Sequence, residues 1–271
     1  MNRAEKTAHF RRLHQREWPL LVPNPWDVGS AMIVEAAGFE ALATTSLGVA
    51  ISQGKRRADE TSLLENCRHI CDATDLPVTA DFENGFADDP ETVGARVNHI
   101  FETGAVGFSI EDSTGEPNAP LYEFELALER VEAVVDANAR LPVPMVVTAR
   151  AENLLYEPTQ LEETIRRLQA YERAGADVLY APYIRDLDVM RQVVSSVTRP
   201  VNVVMGFADP SITLADLAGI GVSRVSIGGG LCRLAMQAAQ RAATMMSEGD
   251  FRFVSELVPL AGLTRCFTRG D

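Results

Sequence analysis

Cysteine is scarce, with four residues (Cys67, Cys71, Cys232 and Cys266) in 271. That excludes a disulfide-stapled scaffold and reads as a cytoplasmic protein with reduced thiols. No run of eighteen apolar residues occurs, so no membrane-spanning helix is expected. The N-terminal stretch is charged and amphipathic and lacks the apolar segment of a signal peptide. Positive charge is in deficit, since 25 Lys and Arg against 38 Asp and Glu leave a net charge of −13. A nucleic-acid partner is therefore not expected, because phosphate binding needs concentrated Lys and Arg. No Gly-x-Gly-x-x-Gly follows an early apolar run, which weakens a dinucleotide-binding open sheet. The four histidines take part in no evident Ser/His/Asp arrangement.

What is present is ordinary globular composition, 46% hydrophobic and 23% charged, with no linker dividing it. One domain over residues 1–271 is expected. Short runs rich in Val, Ile and Ala, bounded by Pro, Gly or Asp, begin at Leu20, Ala41, Pro77, Ala105, Val143, Asp177, Pro200 and Arg224. Segments of helical period lie between them, over 28–37, 60–73, 90–103, 121–139, 186–197, 212–218 and 231–247. Another begins where Thr159 and Glu162 have capping-box spacing. Gly38, Gly104 and Gly175 sit where a helix ends before a buried strand. Eight strand-then-helix units predict a (β/α)₈ barrel, whose chemistry belongs at the C-terminal strand ends.

Those ends are rich in polar residues. Asn24 and Asp27 follow the first run and Thr44-Thr45-Ser46 the second. The third closes in Asp81-Phe82-Glu83, the fourth in Glu111-Asp112 and the fifth in Arg150, with Glu152 beyond; the seventh offers Asn202. Residues i and i+2 of a strand share a face, so Asp81 and Glu83 are expected to point into one site, with Glu111 beside them. Converging carboxylates suit a hard divalent ion such as Mg²⁺, with Mn²⁺ as the alternative. Arg150 offers a planar fork for an oxyanion, and Thr45 with Ser46 offers hydroxyl and backbone donors for a carboxylate. Gly228-Gly229-Gly230 is read either as an anion cradle or as a turn that closes the barrel.

The ordered motifs Asn24-Pro25-Trp26-Asp27, Thr44-Thr45-Ser46, Asp81-x-Glu83-x-Gly85, Ser109-Ile110-Glu111-Asp112 and Ala149-Arg150-Ala151-Glu152 span almost the whole chain. Together they resemble the isocitrate lyase/phosphoenolpyruvate mutase superfamily. The resemblance implies a Mg²⁺-dependent barrel in homodimers or homotetramers, often with a C-terminal helix exchanged between subunits. It implies a small 2-oxo or 2-hydroxy acid handled through an enolate. It also implies Asp81, Glu83 and Glu111 as the metal shell, with Asp59 as its second-loop Asp, and Arg150 on the oxyanion. Thr45, Ser46 and the Leu47 amide would then hold the 2-oxo carboxylate.

The cleaving lyases of that superfamily carry a Lys-Lys-Cys-Gly-His loop after the fourth strand. Here the corresponding stretch, 113–120, has neither Cys nor Lys, and Asn118 is its one match to the mutase pattern. The expected activity is therefore carbon–carbon lyase or decarboxylase chemistry rather than P–C chemistry, with Tyr122 or Tyr180 as a substitute proton donor. The alternatives are a catalytically silent 2-oxo acid binder on the same fold and a ketopantoate hydroxymethyltransferase-like aldol enzyme.

Overall fold

The computed structural model describes residues 1–267, so the last four residues of the expected domain lie outside the described residues. Helix α1 (Arg3–Leu13) precedes β1 (Leu20–Val22), and α2 (Val28–Ala36), β2 (Leu42–Ala43), α3 (Ser46–Ser52) and α4 (Glu60–Ala73) follow. Then come β3 (Val78–Asp81), α5 (Pro90–Glu102), β4 (Gly107–Glu111), α6 (Phe124–Ala139) and β5 (Val146–Arg150). The second half runs α7 (Asn153–Tyr156), α8 (Leu161–Arg173), β6 (Val178–Tyr180), α9 (Leu187–Ser195) and β7 (Val201–Val204). It ends with α10 (Leu214–Gly219), β8 (Arg224–Ser226), α11 (Gly230–Ser247) and α12 (Leu260–Thr264).

All eight strands are parallel, in the spatial order β1-β8-β7-β6-β5-β4-β3-β2. The Ala43 N–H donates to the Pro23 carbonyl at 3.0 Å and joins the two edges, which makes a nearly closed (β/α)₈ barrel. Each of the eight expected runs contains one strand. The main core lies between the barrel wall and its helices, with Phe108, Ile110, Leu168, Tyr171 and Leu179 almost fully buried. Gly104 (φ +97°) and Gly175 (φ +104°) end α5 and α8 in left-handed turns, as their positions predicted. The Thr159–Glu162 capping box does not form. Helix α8 starts at Leu161 behind Gln160, which makes no side-chain cap bond.

Helix α1 plugs the N-terminal end of the barrel. Its Phe10 and Leu13 pack with Leu20, Val22, Val106, Val146 and Val178 in a second apolar cluster. The neighbouring His14 is buried, and its Nδ1 lies 2.8 Å from the Phe10 carbonyl, a contact that assigns the proton to Nδ1. Burial above all, then the Arg224 charge, lowers its pKa to about 3 against an ordinary 6.5. A histidine depressed in the fold stabilises it above the unfolded value, and that stability drains away as pH falls from 6.5 towards 3. Urea unfolding at about pH 7 and about pH 4 should show the loss, on the order of 3 kcal/mol between those two values. In His14→Gln the difference between the two pH values should shrink by most of that amount.

Candidate active site

The C-terminal strand ends surround a cavity of about 280 Å³. Arg150, the last residue of β5, lies at its centre and holds three acids at once. Its Nη1 meets Asp81 Oδ1 at 2.8 Å, Nη2 meets Glu111 Oε2 at 3.0 Å, and Nε meets Glu152 Oε1 at 2.8 Å. The alignment is set by sheet register, since Glu111 pairs directly with Arg150 across β4 and β5. A guanidinium carries five N–H donors, so two remain available to a ligand.

Burial alone would depress the Arg150 guanidinium, but Glu111, Glu152 and Asp81 outweigh it and keep it well above its ordinary range. The acids carry the opposite signature. Burial, reinforced by Glu152, Asp81 and Glu83 against the opposing pull of Arg150, pushes the Glu111 carboxyl well up. Glu152 is raised by burial and by Asp112 and Asp81, again against Arg150. One shared cation does not compensate this much negative charge.

Glu83 reaches the cavity by a different route from the strand alternation expected for it. Strand β3 ends at Asp81, and Glu83 stands beyond it in the left-handed region at φ +48°. Its Oε2 accepts from Arg57 Nε at 2.7 Å, and burial is the main cause that raises its carboxyl. Asp81 Oδ2 accepts the Ser46 backbone N–H at 2.8 Å, so that amide is already engaged. Thr45 N-caps α3 by accepting from Gly48 N–H at 3.2 Å, while Leu47 lines the mouth and is partly exposed. Asn202 lines the floor and donates to Ser226 Oγ at 3.1 Å.

Asp59 is not brought to the cavity. It N-caps α4, pairs with Lys55 at 2.9 Å and is largely exposed, because capping the helix turns its carboxylate towards the Ser62 amide. Tyr122 is also absent from the cavity lining, with its hydroxyl donating to Asp88 at 2.6 Å. Asn118 is exposed on its loop and does not line the cavity. Tyr180 does line it, with its hydroxyl pushed up by burial. Asn24 ties strands together: its Oδ1 accepts from the Ile227 and Gly228 amides, both at 2.9 Å, and its amide donates to Thr44 O. The glycine run therefore serves as a barrel-closing turn at the cavity edge.

Sequence reasoning missed Arg57, which holds Glu83 without lining the cavity, and the lining residues Arg224, Tyr156, Tyr183 and Phe207. Tyr183 and Phe207 pack with ring centroids 4.6 Å apart. No periodicity signals such residues, since Arg57, Tyr183 and Phe207 stand on loops, Tyr156 ends the short α7 and Arg224 starts a strand.

Asp81, Glu83 and Glu111 line one cavity, but they are not gathered into a cage. Among the described residues no group of three or more His, Cys, Asp or Glu is arranged to hold a metal. The reason is local: Asp81 and Glu111 lean to Arg150, and Glu83 leans to Arg57. The set nonetheless fits a divalent cation that keeps most of its waters. Its donors are hard oxygens, and its uncompensated acids call for further positive charge.

Barrel and site together define the class: a (β/α)₈ protein with a carboxylate-and-arginine cavity at the face where such barrels do chemistry. Residues 10–247 match the family described as phosphoenolpyruvate phosphomutase, and the chain belongs to it and to the isocitrate lyase/phosphoenolpyruvate mutase superfamily. It is 30% identical over 222 residues to the 2-methylisocitrate lyase of Escherichia coli K12, covering 77% of this chain and 73% of the relative. A solved Burkholderia cenocepacia J2315 structure, described at the level of lyase or mutase, is 46% identical. It superposes with a TM-score of 0.95 over 99% of this chain and 98% of that one. A phosphonopyruvate hydrolase solved with oxalate and Mg²⁺ is 25% identical, with a TM-score of 0.84 over 97% of this chain and 94% of that one.

Proposed function

We propose that this chain is a Mg²⁺-dependent carbon–carbon lyase that acts on a small 2-oxo or 2-hydroxy (di)carboxylic acid, with decarboxylation the favoured bond cleavage. The observation that carries the reading is Arg150, which gathers Asp81, Glu111 and Glu152 and keeps two N–H donors for a ligand oxygen. Asp81 and Glu111, with Glu83 nearby, would hold the cation, mostly through water. When bound, Mg²⁺ supplies Lewis acidity that draws electrons from the 2-oxo group. The free N–H groups of Arg150 bind the oxygen on which negative charge grows as the carbon–carbon bond breaks. Glu152 fixes the guanidinium plane, and Asp112 fixes Glu152 by accepting its backbone N–H at 2.8 Å. The Tyr183–Phe207 pair walls one side of the cavity.

The loop 113–120 supports decarboxylation over retro-aldol cleavage. It carries no Cys or Lys, and its middle residues are exposed. Carbon dioxide leaves and carbon 3 takes a proton from solvent, so no loop acid is required. A panel of 2-oxo and 2-hydroxy mono- and diacids in Mg²⁺ buffer, assayed for released CO₂ and keto acid, tests the reading. Turnover of at least one diacid is expected. Tight binding without turnover of any member would instead make the chain a silent binder, and dependence on formaldehyde would make it an aldol enzyme.

We further propose a cytoplasmic homodimer or homotetramer. Helix α11 buries Cys232 alone, and leaves Leu234, Met236 and Met246 facing solvent. Phe251, Leu257, Val258 and Leu260 beyond it are likewise exposed, an apolar exposure of the kind that marks an interface. Sedimentation velocity should show two or four chains per particle, and Leu234→Asp should shift the population towards monomer. No helix among the described residues is long and apolar enough to cross a membrane.

A further inference from the structure

The loop that carries Glu83 into the cavity is held from behind by a buried cation that the proposed chemistry does not touch. Arg130 of α6 is 1% exposed and does not line the cavity, so its charge lies in the shell between barrel and helices. Among the described residues, every acceptor it has is a carbonyl oxygen of one loop. Its Nη2 donates to Asn84 O, and its Nη1 donates to Ala87 O and, at 2.7 Å, to Asp88 O. The guanidinium carbon stands 4.1 Å from the centre of the Tyr122 ring, and its Nε has no acceptor among the described residues. The guanidinium is thus spent on the loop.

The loop needs such a donor because of its backbone. Residues 82–89 join β3 to α5, and Glu83, Gly85 and Phe86 are all left-handed, at φ +48°, +71° and +56°. Two of the three carry side chains, so surrounding contacts must impose that conformation. Buried carbonyls outside sheet and helix also need donors, and one planar guanidinium serves several at once. Tyr122 completes the support: its hydroxyl accepts from Asn84 Nδ2 at 3.1 Å and donates to Asp88 Oδ1 at 2.6 Å. Asn84 in turn passes the constraint on. Its Oδ1 accepts from Arg57 Nη2 at 3.1 Å, and Arg57 Nε holds Glu83 Oε2 at 2.7 Å. Arg130 and Tyr122 therefore fix both the backbone beside Glu83 and the arginine that aims its carboxylate. None of Asn84, Tyr122 and Arg130 lines the cavity, whereas Glu83 does.

We infer that Arg130, with Tyr122 stacked on it, is a positioning residue that holds Glu83 at the cavity for the divalent cation. The inference rests on the cation reading above and deepens it. Neither residue touches substrate or cation, and both act only through Glu83.

Mn²⁺ titrated into the full chain, with the free ion counted by electron paramagnetic resonance, tests this. The variants are Arg130→Lys and Tyr122→Phe, each alone and each combined with Glu83→Gln. Arg130→Lys keeps the charge but cannot span three carbonyls, and it should raise the Mn²⁺ Kd about tenfold. Tyr122→Phe keeps the ring under the guanidinium and loses only the hydroxyl's bonds, and it should raise Kd about threefold. Glu83→Gln should itself weaken binding about tenfold, and in that background neither change should move Kd by more than about twofold. Binding by Arg130→Lys that equals the wild type, or an equal loss in both backgrounds, marks a merely structural role and overturns the inference. If Arg130→Lys fails to fold, Tyr122→Phe decides by the same comparison. Wild-type affinity in Glu83→Gln overturns the inference while leaving the cation reading at Asp81 and Glu111 standing. A wild type that binds no Mn²⁺ overturns both.

Discussion

Arg150→Ala is expected to reduce kcat/KM for the true substrate by about 10³-fold or more, a loss of about 4 kcal/mol of transition-state stabilisation. The size of the effect follows from how much the side chain does. Three carboxylates converge on its guanidinium, and two of them, Glu111 and Glu152, are already raised by burial. Without the shared cation these acids take up protons more readily, and a protonated acid is a poor partner for a divalent ion. The variant therefore loses the oxyanion donor and weakens cation binding together. Arg150→Lys keeps the charge but not the planar fork, so it cannot bridge the three acids and should lose about 10²-fold. Steady-state kinetics with circular dichroism as a fold control checks both variants. Activity of Arg150→Ala within about tenfold of wild type would remove Arg150 from the chemistry.

The largest effect on stability is expected at a residue that never touches the cavity. Asp112 Oδ2 accepts from Arg167 Nη1 at 3.0 Å and from the Tyr171 hydroxyl at 2.7 Å, while Oδ1 accepts the Glu152 amide at 2.8 Å. The Arg167 side chain is 7% exposed and that of Asp112 is 2% exposed, so water cannot replace what is lost. Arg167 is held above its ordinary range because Asp112 and Tyr171 outweigh its burial. Asp112→Ala should cost about 3 kcal/mol in urea unfolding, since it leaves the buried Arg167 with only Glu163 at 2.9 Å and the Tyr122 carbonyl at 3.2 Å, the Tyr171 hydroxyl without its acceptor and the Glu152 amide without its own. Asp112→Asn keeps an acceptor oxygen and should cost clearly less. A cost below about 1 kcal/mol for the alanine variant would mean that Glu163 alone satisfies Arg167.

The contrast between these two residues shows what was legible in the sequence. Arg150 ends an apolar run, so strand position alone marked it as a candidate, and it lines the cavity opposite Glu111 in the register of β4 with β5. The eight strands and most helix bounds were legible for the same reason, because buried parallel strands and amphipathic helices write their period into the chain. Turns write no such period. Glu83 enters the cavity through a left-handed residue, not through strand alternation, and Asp59 spends its carboxylate on a helix cap. Arg57 stands on the loop before α4, and its side chain crosses to Glu83 and Asn84, 26 and 27 residues away, which no local pattern encodes. Arg224 begins the eighth run, and nothing in its position marks it as a cavity residue.

The central claim is a cation-assisted 2-oxo acid site built on Asp81, Glu111 and Arg150. Oxalate, a planar dianion shaped like the enolate of a 2-oxo acid, probes it most directly by isothermal calorimetry with and without Mg²⁺. Binding that strengthens about 100-fold or more when Mg²⁺ is added, and that is lost on chelation, is the predicted result. Oxalate that binds equally well in Mg²⁺ and in chelator, or in neither, would contradict it.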